Sequence, residues 1–587
     1  MNPANRLSSG HLPTSKKEMD YLGWEQADVI FFSGDAYIDH PAFGTAVIAR
    51  VLENRGLKVA IVPQPNWQDD LRDFKKLGTP KLFFAVNAGV MDSMVNRYTA
   101  NKRTRSDDAY TPGGRANARP DRAVTVYSQI LKKLYPDIPV VIGGIEASLR
   151  RLTHYDFWDD ALKPSVLIDS GADYLVYGQG EKAIIALAGS LMEGNREAIF
   201  DIPQITFAVP QEASDKFTAD SIFLHSYEQC LKDKDKFGEN FKIIETESNT
   251  FASKRLLENC GEKTIVVNPP YTVLNTDEID EIYDLPYTRL PHPRYNGKTV
   301  PAYEMIKHSI NIHRGCFGGC SFCTISAHQG KFIASRSEKS ILDEVDKVVN
   351  MPDFKGHISD LGGPAANMYR MEGKNKRACT ACKRASCLFP KICANLNANH
   401  TPLLDLYSTV RKYPKVKMVS IGSGIRYDMF LNNNGFIDEA GRKYFETVMK
   451  RHVSGRLKVA PEHTSGEVLK SVRKPPFELF VKLKSEFDKL NRQCGYKKQL
   501  IPYFISGLPH CKENDMKQLA AIMSRMGYKL EQVQSFTPTP MTLASTIFYT
   551  GKDPYSGEKV YVAKSNDERK NQQKYFFKNP HTGKRQQ

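Results

Sequence analysis

A triplet recurs along this chain: an apolar run of strand length, a glycine turn, then residues with helical spacing. ADVIFF (27–32) is the first run, and TAVIARVLENRG follows it. Val47, Ile48, Val51 and Leu52 share a helical face there, and Gly56 is a helix stop. LKVAIVPQP (57–65), KLFFAVNAG (81–89), IPVVIGGIEAS (138–148) and ADYLVYGQGEKAIIALAGSL (172–191) repeat the pattern. Strands alternating with helices pair in parallel, so residues 26–195 are expected to form an open Rossmann-like α/β domain. Its glycine turns lie at strand ends, where open sheets place ligands. The basic loop 99–123 is too long and polar for a simple connector.

The pattern returns over 301–550 in SINIHRG (309–315), GHISDLGGPAANMY (356–369), VKMVSIGSGIR (416–426), RLKVAPEH (456–463), QLIPYFISGLP (499–509) and EQVQSFTPTP (531–540). KSILDEVDKVVN (339–350) and PFELFVKLKSEFDKLNRQ (476–493) are helical stretches among them. Repeated strand–turn–helix units predict a full or partial βα barrel with its working residues at the strands' C-terminal ends. Residues 1–25 read as a leader. Residues 196–300, without a clear period, read as strands and loops bridging two domains. Residues 551–587 read as a loosely ordered basic tail.

The N-terminus lacks an apolar signal core and no apolar run reaches about 18 residues, so the expected place is the cytoplasm, without a membrane partner. Thiols stay reduced there. Of the 11 cysteines, seven fall between Cys316 and Cys393, and such clustering calls for a metal or catalytic role, whereas the scattered Cys230, Cys260, Cys494 and Cys511 read as small core residues. HRGCFGGCSFCTI carries Cys316, Cys320 and Cys323 as C-x3-C-x2-C. Gly315, Gly318 and Gly319 let the backbone wrap closely, and soft thiolates suit iron–sulfur, zinc or copper(I). Three local ligands leave one position of a four-ligand site open. CTACKRASCLFPKIC adds Cys379, Cys382, Cys387 and Cys393, four thiols that can close a full shell within an insertion at 374–398. An iron–sulfur cluster and a zinc ion stay equally open for that second set. Net charge is +16, which welcomes an anionic partner without naming it.

The C-x3-C-x2-C loop, with Phe322 before Cys323, resembles the signature of the radical S-adenosylmethionine superfamily. The resemblance implies that Cys316, Cys320 and Cys323 hold a [4Fe–4S] cluster whose fourth iron binds S-adenosylmethionine. It implies reductive cleavage of that cofactor and an electron donor such as flavodoxin or ferredoxin. Gly362, Gly363 and Pro364 resemble the turn that contacts the cofactor's amino group, although the usual acidic residue is absent. Gly422 to Gly424, Glu462 and Ile505 to Gly507 fall where such cores place further cofactor contacts. Over nearly its whole length the chain resembles the YgiQ-type radical S-adenosylmethionine proteins, carried also by Gly143 to Ser148 and by Phe-Thr-Pro-Thr-Pro at 536–540.

The domain at 26–195 resembles the cobalamin-binding-like domain ahead of some of these cores. Cobalamin would lie near Gly34, Gly143, Gly144 and Gly178. Asp39-His40 through Gly44 has the wrong spacing for an axial histidine, and a scaffold without cobalamin is favoured. His154, Tyr155, Asp156 and Trp158 after Arg150-Arg151 read as a partly exposed polar patch. The basic runs at 102–122 and Lys570 to Arg585, with Tyr575, Phe576 and Phe577, offer phosphate and base contacts. The basic balance and the layout, an α/β domain ahead of the core, resemble methylthiolating and cobalamin-dependent relatives, a resemblance that implies an RNA or protein substrate no more strongly than a small molecule. Solvated surface is the commoner use of charge runs. The alternative class is a zinc-stabilised nucleic-acid-binding or scaffold protein.

Overall fold

The computed structural model describes residues 10–530 and 533–576. They divide into two units, one of the described residues up to 236 with 252–307, the other of 237–251 with the described residues from 308 onward.

In the first unit, five strands run parallel: β1 (Val29–Ser33), β2 (Val59–Pro63), β3 (Phe83–Asn87), β4 (Val140–Gly143) and β5 (Tyr174–Val176), in the order β2-β1-β3-β4-β5. β1 to β3 are buried at every position, which explains their unbroken apolar runs: helices cover both faces of a parallel sheet. Val29 stands level with Val59 on one side and Phe83 on the other. The order reverses beside β1, and sheets of this topology place a ligand at such a switch point, here between β1 and β3.

Residues 196–300 are more than a bridge. β6 (Ile205–Pro210), β7 (Ser221–Phe223), β8 (Arg255–Cys260) and β9 (Lys263–Val267) extend the same sheet beyond β5 as β6-β9-β8-β7. β6, β9 and β8 join antiparallel. Short strands with mixed burial leave no period to read, which is why the sequence hides them. The leader is also built in: Leu12 is buried, and Pro13 carbonyl accepts the Ile61 N–H at 2.9 Å.

In the second unit, β10 (Ser309–Asn311) pairs in parallel with β11 (Asp360–Gly362). His357–Ile358, leading into β11, pairs with β12 (Met418–Val419). β13 (Arg456–Glu462), β14 (Gln499–Ser506) and β15 (Val533–Ser535) follow as a parallel ladder. Helices Glu338–Val349, Thr401–Lys412, Glu439–Thr447, Phe477–Cys494 and Glu513–Arg525 alternate with these strands, the layout of a partial βα barrel. In Phe477–Cys494, Phe480, Leu483, Phe487 and Leu490 form the buried stripe, and Gly495 at φ +66° ends the helix.

The supposed tail is folded as far as it is described. Helix Asn566–Gln573 opens with a Ser565/Glu568 capping box. Gln572 Oε1 accepts the Gly507 N–H at 2.7 Å, and its Nε2 donates to Cys511 carbonyl at 2.6 Å. The helix packs through Arg569 and Gln572, so it carries no apolar stripe to betray it. Phe577 and Arg585 lie outside the described residues. Among the described residues, no helix is long and apolar enough to cross a membrane.

Candidate metal centres

The loop after β10 carries Cys316, Cys320 and Cys323, and the backbone around it leaves little room. Gly315 sits at φ +87°, and a Cβ there would collide with Phe332 carbonyl. Gly319 sits at φ +57°, against Ala385 carbonyl and Ser386. Burial raises the Cys316 thiol against the pull of Arg426. Burial also pushes the Cys323 thiol up to about 12, with the neighbouring Cys320, Cys316 and Glu462 adding to it. Thiols that resist ionisation become thiolates when a metal takes the proton's place.

Arg426 supplies the local positive charge. Its Nη1 donates to Cys320 Sγ at 3.2 Å, while Nε and Nη2 donate to Asp428 at 2.9 and 2.5 Å. Burial opposes that charge, but Asp428 and the sulfurs of Cys320 and Cys316 hold the guanidinium well above its usual range. Burial likewise opposes ionisation of Asp428, and Arg426 outweighs it, so this carboxyl is lowered. A buried cation directed at sulfur matches a site that gathers thiolates around an anionic cluster. Gly318 belongs to this packing: a Cβ on it would stand 2.7 Å from Arg426 Nη1.

The sequence-selected glycines cluster at strand ends. Gly362 closes β11, its carbonyl accepts the Ile312 N–H at 2.8 Å, and a Cβ would come 2.8 Å from Ser423 Oγ. Gly363 lies against the His313 ring, and Pro364 follows half-buried. Asp360, two residues earlier, accepts the Gly422 N–H at 2.8 Å and also bonds Ser423. One carboxylate thus ties the Gly362 turn to the Gly422 turn. Glu462, at φ +68° on the end of β13, pairs with Lys474 at 3.3 Å. Gly507, just beyond β14, gives its N–H to Gln572.

The second thiol group lies against the first loop. Ser386 Oγ donates to Gly318 carbonyl at 2.7 Å, and Cys387 N–H donates to Phe317 carbonyl at 3.0 Å. Cys316, Cys387 and Cys393 border one apolar cluster built on Phe317, Met368 and Leu388. Asn395 Nδ2 donates to Cys379 Sγ at 3.2 Å, and Lys331 Nζ stands 3.9 Å from Cys382 Sγ. Burial raises Cys379 and pushes Cys387 up to about 11, and in both cases neighbouring thiols of this set add to the rise. Among the described residues, no three His, Cys, Asp or Glu side chains close as a ready shell for a single ion.

A shallow cleft with room for about 30 Å³ runs past Cys320, Cys323 and Ala385 to Phe241, Glu245 and Thr542. Arg473 holds its rim, with both Nη atoms on the Glu245 carboxylate at 2.7 and 2.8 Å. Arg426, Asp428, Lys474, Lys331 and Gln572 escaped the sequence reading. Arg426 ends the stretch read as a strand at 416–426, the one local sign that it faces a barrel edge.

At the first unit's crevice, Arg119 pairs with Asp35 at 2.7 Å and Asp108 at 3.0 Å and donates to Ala88 carbonyl at 2.7 Å. Gly34 has no room for a Cβ against that same carbonyl. The chain's own ion pairs therefore fill the gap between β1 and β3. His40 is buried, and its Nδ1 accepts the Ala42 N–H at 3.0 Å, so it is not presented as an axial ligand. These residues do not form an open cradle for a corrin. The expected polar patch is also corrected: Arg150, Arg151, His154, Tyr155 and Asp156 are buried and Trp158 is half-buried. Of the basic run, Arg119 is internal and Arg122 holds Asp156 and Asp159, while Arg103 and Arg105 stay exposed.

A family model described as Radical SAM N-terminal matches residues 11–309, and one described as a domain of unknown function (DUF3362) matches residues 531–582. The chain is 56% identical over 579 residues to a UPF0313 protein of Bacteroides thetaiotaomicron, covering 96% of this chain and 93% of that one. It is 47% identical over 569 residues to a UPF0313 protein of Methanocella arvoryzae, covering 96% and 93%. Among solved structures, the radical S-adenosylmethionine methyltransferase TsrM of Kitasatospora setae aligns at a TM-score of 0.48 and 14% identity, covering 88% of this chain and 74% of that one.

Proposed function

This chain belongs to the UPF0313 family of YgiQ-type radical S-adenosylmethionine proteins, and from that premise we propose that Cys316, Cys320 and Cys323 are the ligands of its catalytic iron–sulfur cluster. The observation that carries this reading is the buried Arg426 guanidinium donating to Cys320 Sγ on a glycine-wrapped loop. A [4Fe–4S] cluster held there would supply one electron to the sulfonium of S-adenosylmethionine, releasing methionine and a 5′-deoxyadenosyl radical that takes a hydrogen atom from a substrate.

The chain's residues prepare that chemistry. Arg426 offsets thiolate charge, and Asp428 fixes its orientation. Gly362, Gly363 and Pro364 present backbone at the end of β11, where the cofactor's amino group would meet it. Asp360 holds the Gly422 turn beside them. Glu462, at the end of β13, forms a buried pair with Lys474. Cys379, Cys382, Cys387 and Cys393 form a second metal centre, iron–sulfur or zinc, in contact with the first loop. The first unit acts as a scaffold without cobalamin.

Cys320→Ala is the test. The variant, purified without oxygen and reconstituted with iron and sulfide, is expected to lose dithionite-driven release of 5′-deoxyadenosine by at least about 100-fold while the first unit keeps its fold. Release at the wild-type rate would overturn the assignment. Zinc alone in the wild type, with no release after reconstitution, would point to a structural protein instead.

A further inference from the structure

The 374–398 insertion carries Lys374, Lys376, Arg377, Lys383, Arg384 and Lys391, and no Asp or Glu. All six are exposed except Arg384, which is half-buried. Glu372 pairs with Lys376 at 3.2 Å, an exposed contact worth little in water. The same short segment holds four thiols, and its Ser386 and Cys387 bond directly to Phe317 and Gly318 of the first cysteine loop. A strongly positive surface therefore adjoins the redox loop.

We propose that this insertion is the docking face for an acidic one-electron carrier protein. The proposal rests on the function proposed above. Charge complementarity speeds and orients a brief encounter without requiring a large interface. Electron-transfer complexes are small for the same reason. At the encounter the reduced carrier loses one electron and the protein's iron–sulfur centre gains it, with no bond made or broken in that step. Nucleic acid fits the face less well. Single strands need aromatic platforms, and the only aromatic residue of the insertion, Phe389, is half-buried with its carbonyl bonded to Arg384 Nη2 at 2.8 Å.

The test compares the full-length, reconstituted wild type with K376E/K383E and K376E/R377E/K383E/K391E. Flavodoxin is the carrier, and its binding is followed by flavin fluorescence. Binding is expected to weaken at least about 10-fold in the four-site variant, by less in the two-site variant, and with rising salt in the wild type. Iron content and dithionite-driven release should match wild type in both variants, because dithionite needs no docking face. Equal affinity across the three proteins would overturn the proposal. So would an oligonucleotide that binds more tightly than flavodoxin and is lost in the same variants. Absent dithionite-driven release in loaded wild type would sink the proposed function instead, and the binding titration would still decide the docking face.

Discussion

Single residues set the electrostatics of this molecule. Arg426 and Asp428 act as a buried pair in which the guanidinium also donates to sulfur, and losing one partner of such a pair leaves an uncompensated charge. Glu258 on β8 shows the opposite case, a carboxyl without a cation. It accepts the Thr153 N–H at 2.8 Å, yet burial pushes it from an ordinary 4.5 up to about 7, with Glu228 adding to the rise. The folded state thus keeps a proton that the unfolded chain releases across that window, so stability falls as pH rises from about 4.5 to 7. The cost at pH 8 is on the order of 3 kcal/mol. Glu258→Gln is expected to raise the melting temperature of the first unit at about pH 8 and to converge with wild type near pH 4, read by thermal unfolding across pH.

Elements decide whether the two thiol groups meet. The first loop and the insertion interlock at Gly318, Gly319, Ser386 and Cys387. Gly319→Ala forces a side chain into left-handed backbone and against Ala385 carbonyl, a cost of about 2 kcal/mol or more. Reconstituted Gly319→Ala is expected to hold fewer irons per chain than wild type, counted chemically after gel filtration. A full complement of iron would show that the interlock is not needed to form the centres. Legibility at this scale followed chemistry. Phe477–Cys494 was readable because its buried face is apolar, whereas helix Asn566–Gln573 packs with Arg569 and Gln572 and looked like solvated tail. The strands β6 to β9 were unreadable for a related reason, being short and unevenly buried.

At the scale of the whole molecule, the two units respond to different conditions. The first is held by an apolar core around Val29, Phe31, Val59, Ile61 and Phe83, each such side chain contributing about 1.5–3 kcal/mol on burial. The second contains a polar insertion that metal would help to fold. Stripping metal with a chelator under reducing conditions is expected to increase hydrogen exchange over 315–400 and to leave β1 to β5 protected. Mass spectrometry resolved by segment reads this directly. Uniform loss of protection would mean that the metal supports both units.

The sequence alone determined the βα order, the parallel five-strand start of the first sheet, and the two thiol groups, because apolar period and ligand spacing are properties of neighbours along the chain. Only the tertiary structure decided that Arg426 reaches Cys320 across 106 positions, that Arg119 closes the first sheet's crevice, and that Gln572 occupies the Gly507 turn. A buried charge or amide is stable only where its partner waits, and that partner is chosen by strand packing over long separations, which leaves no local period to read.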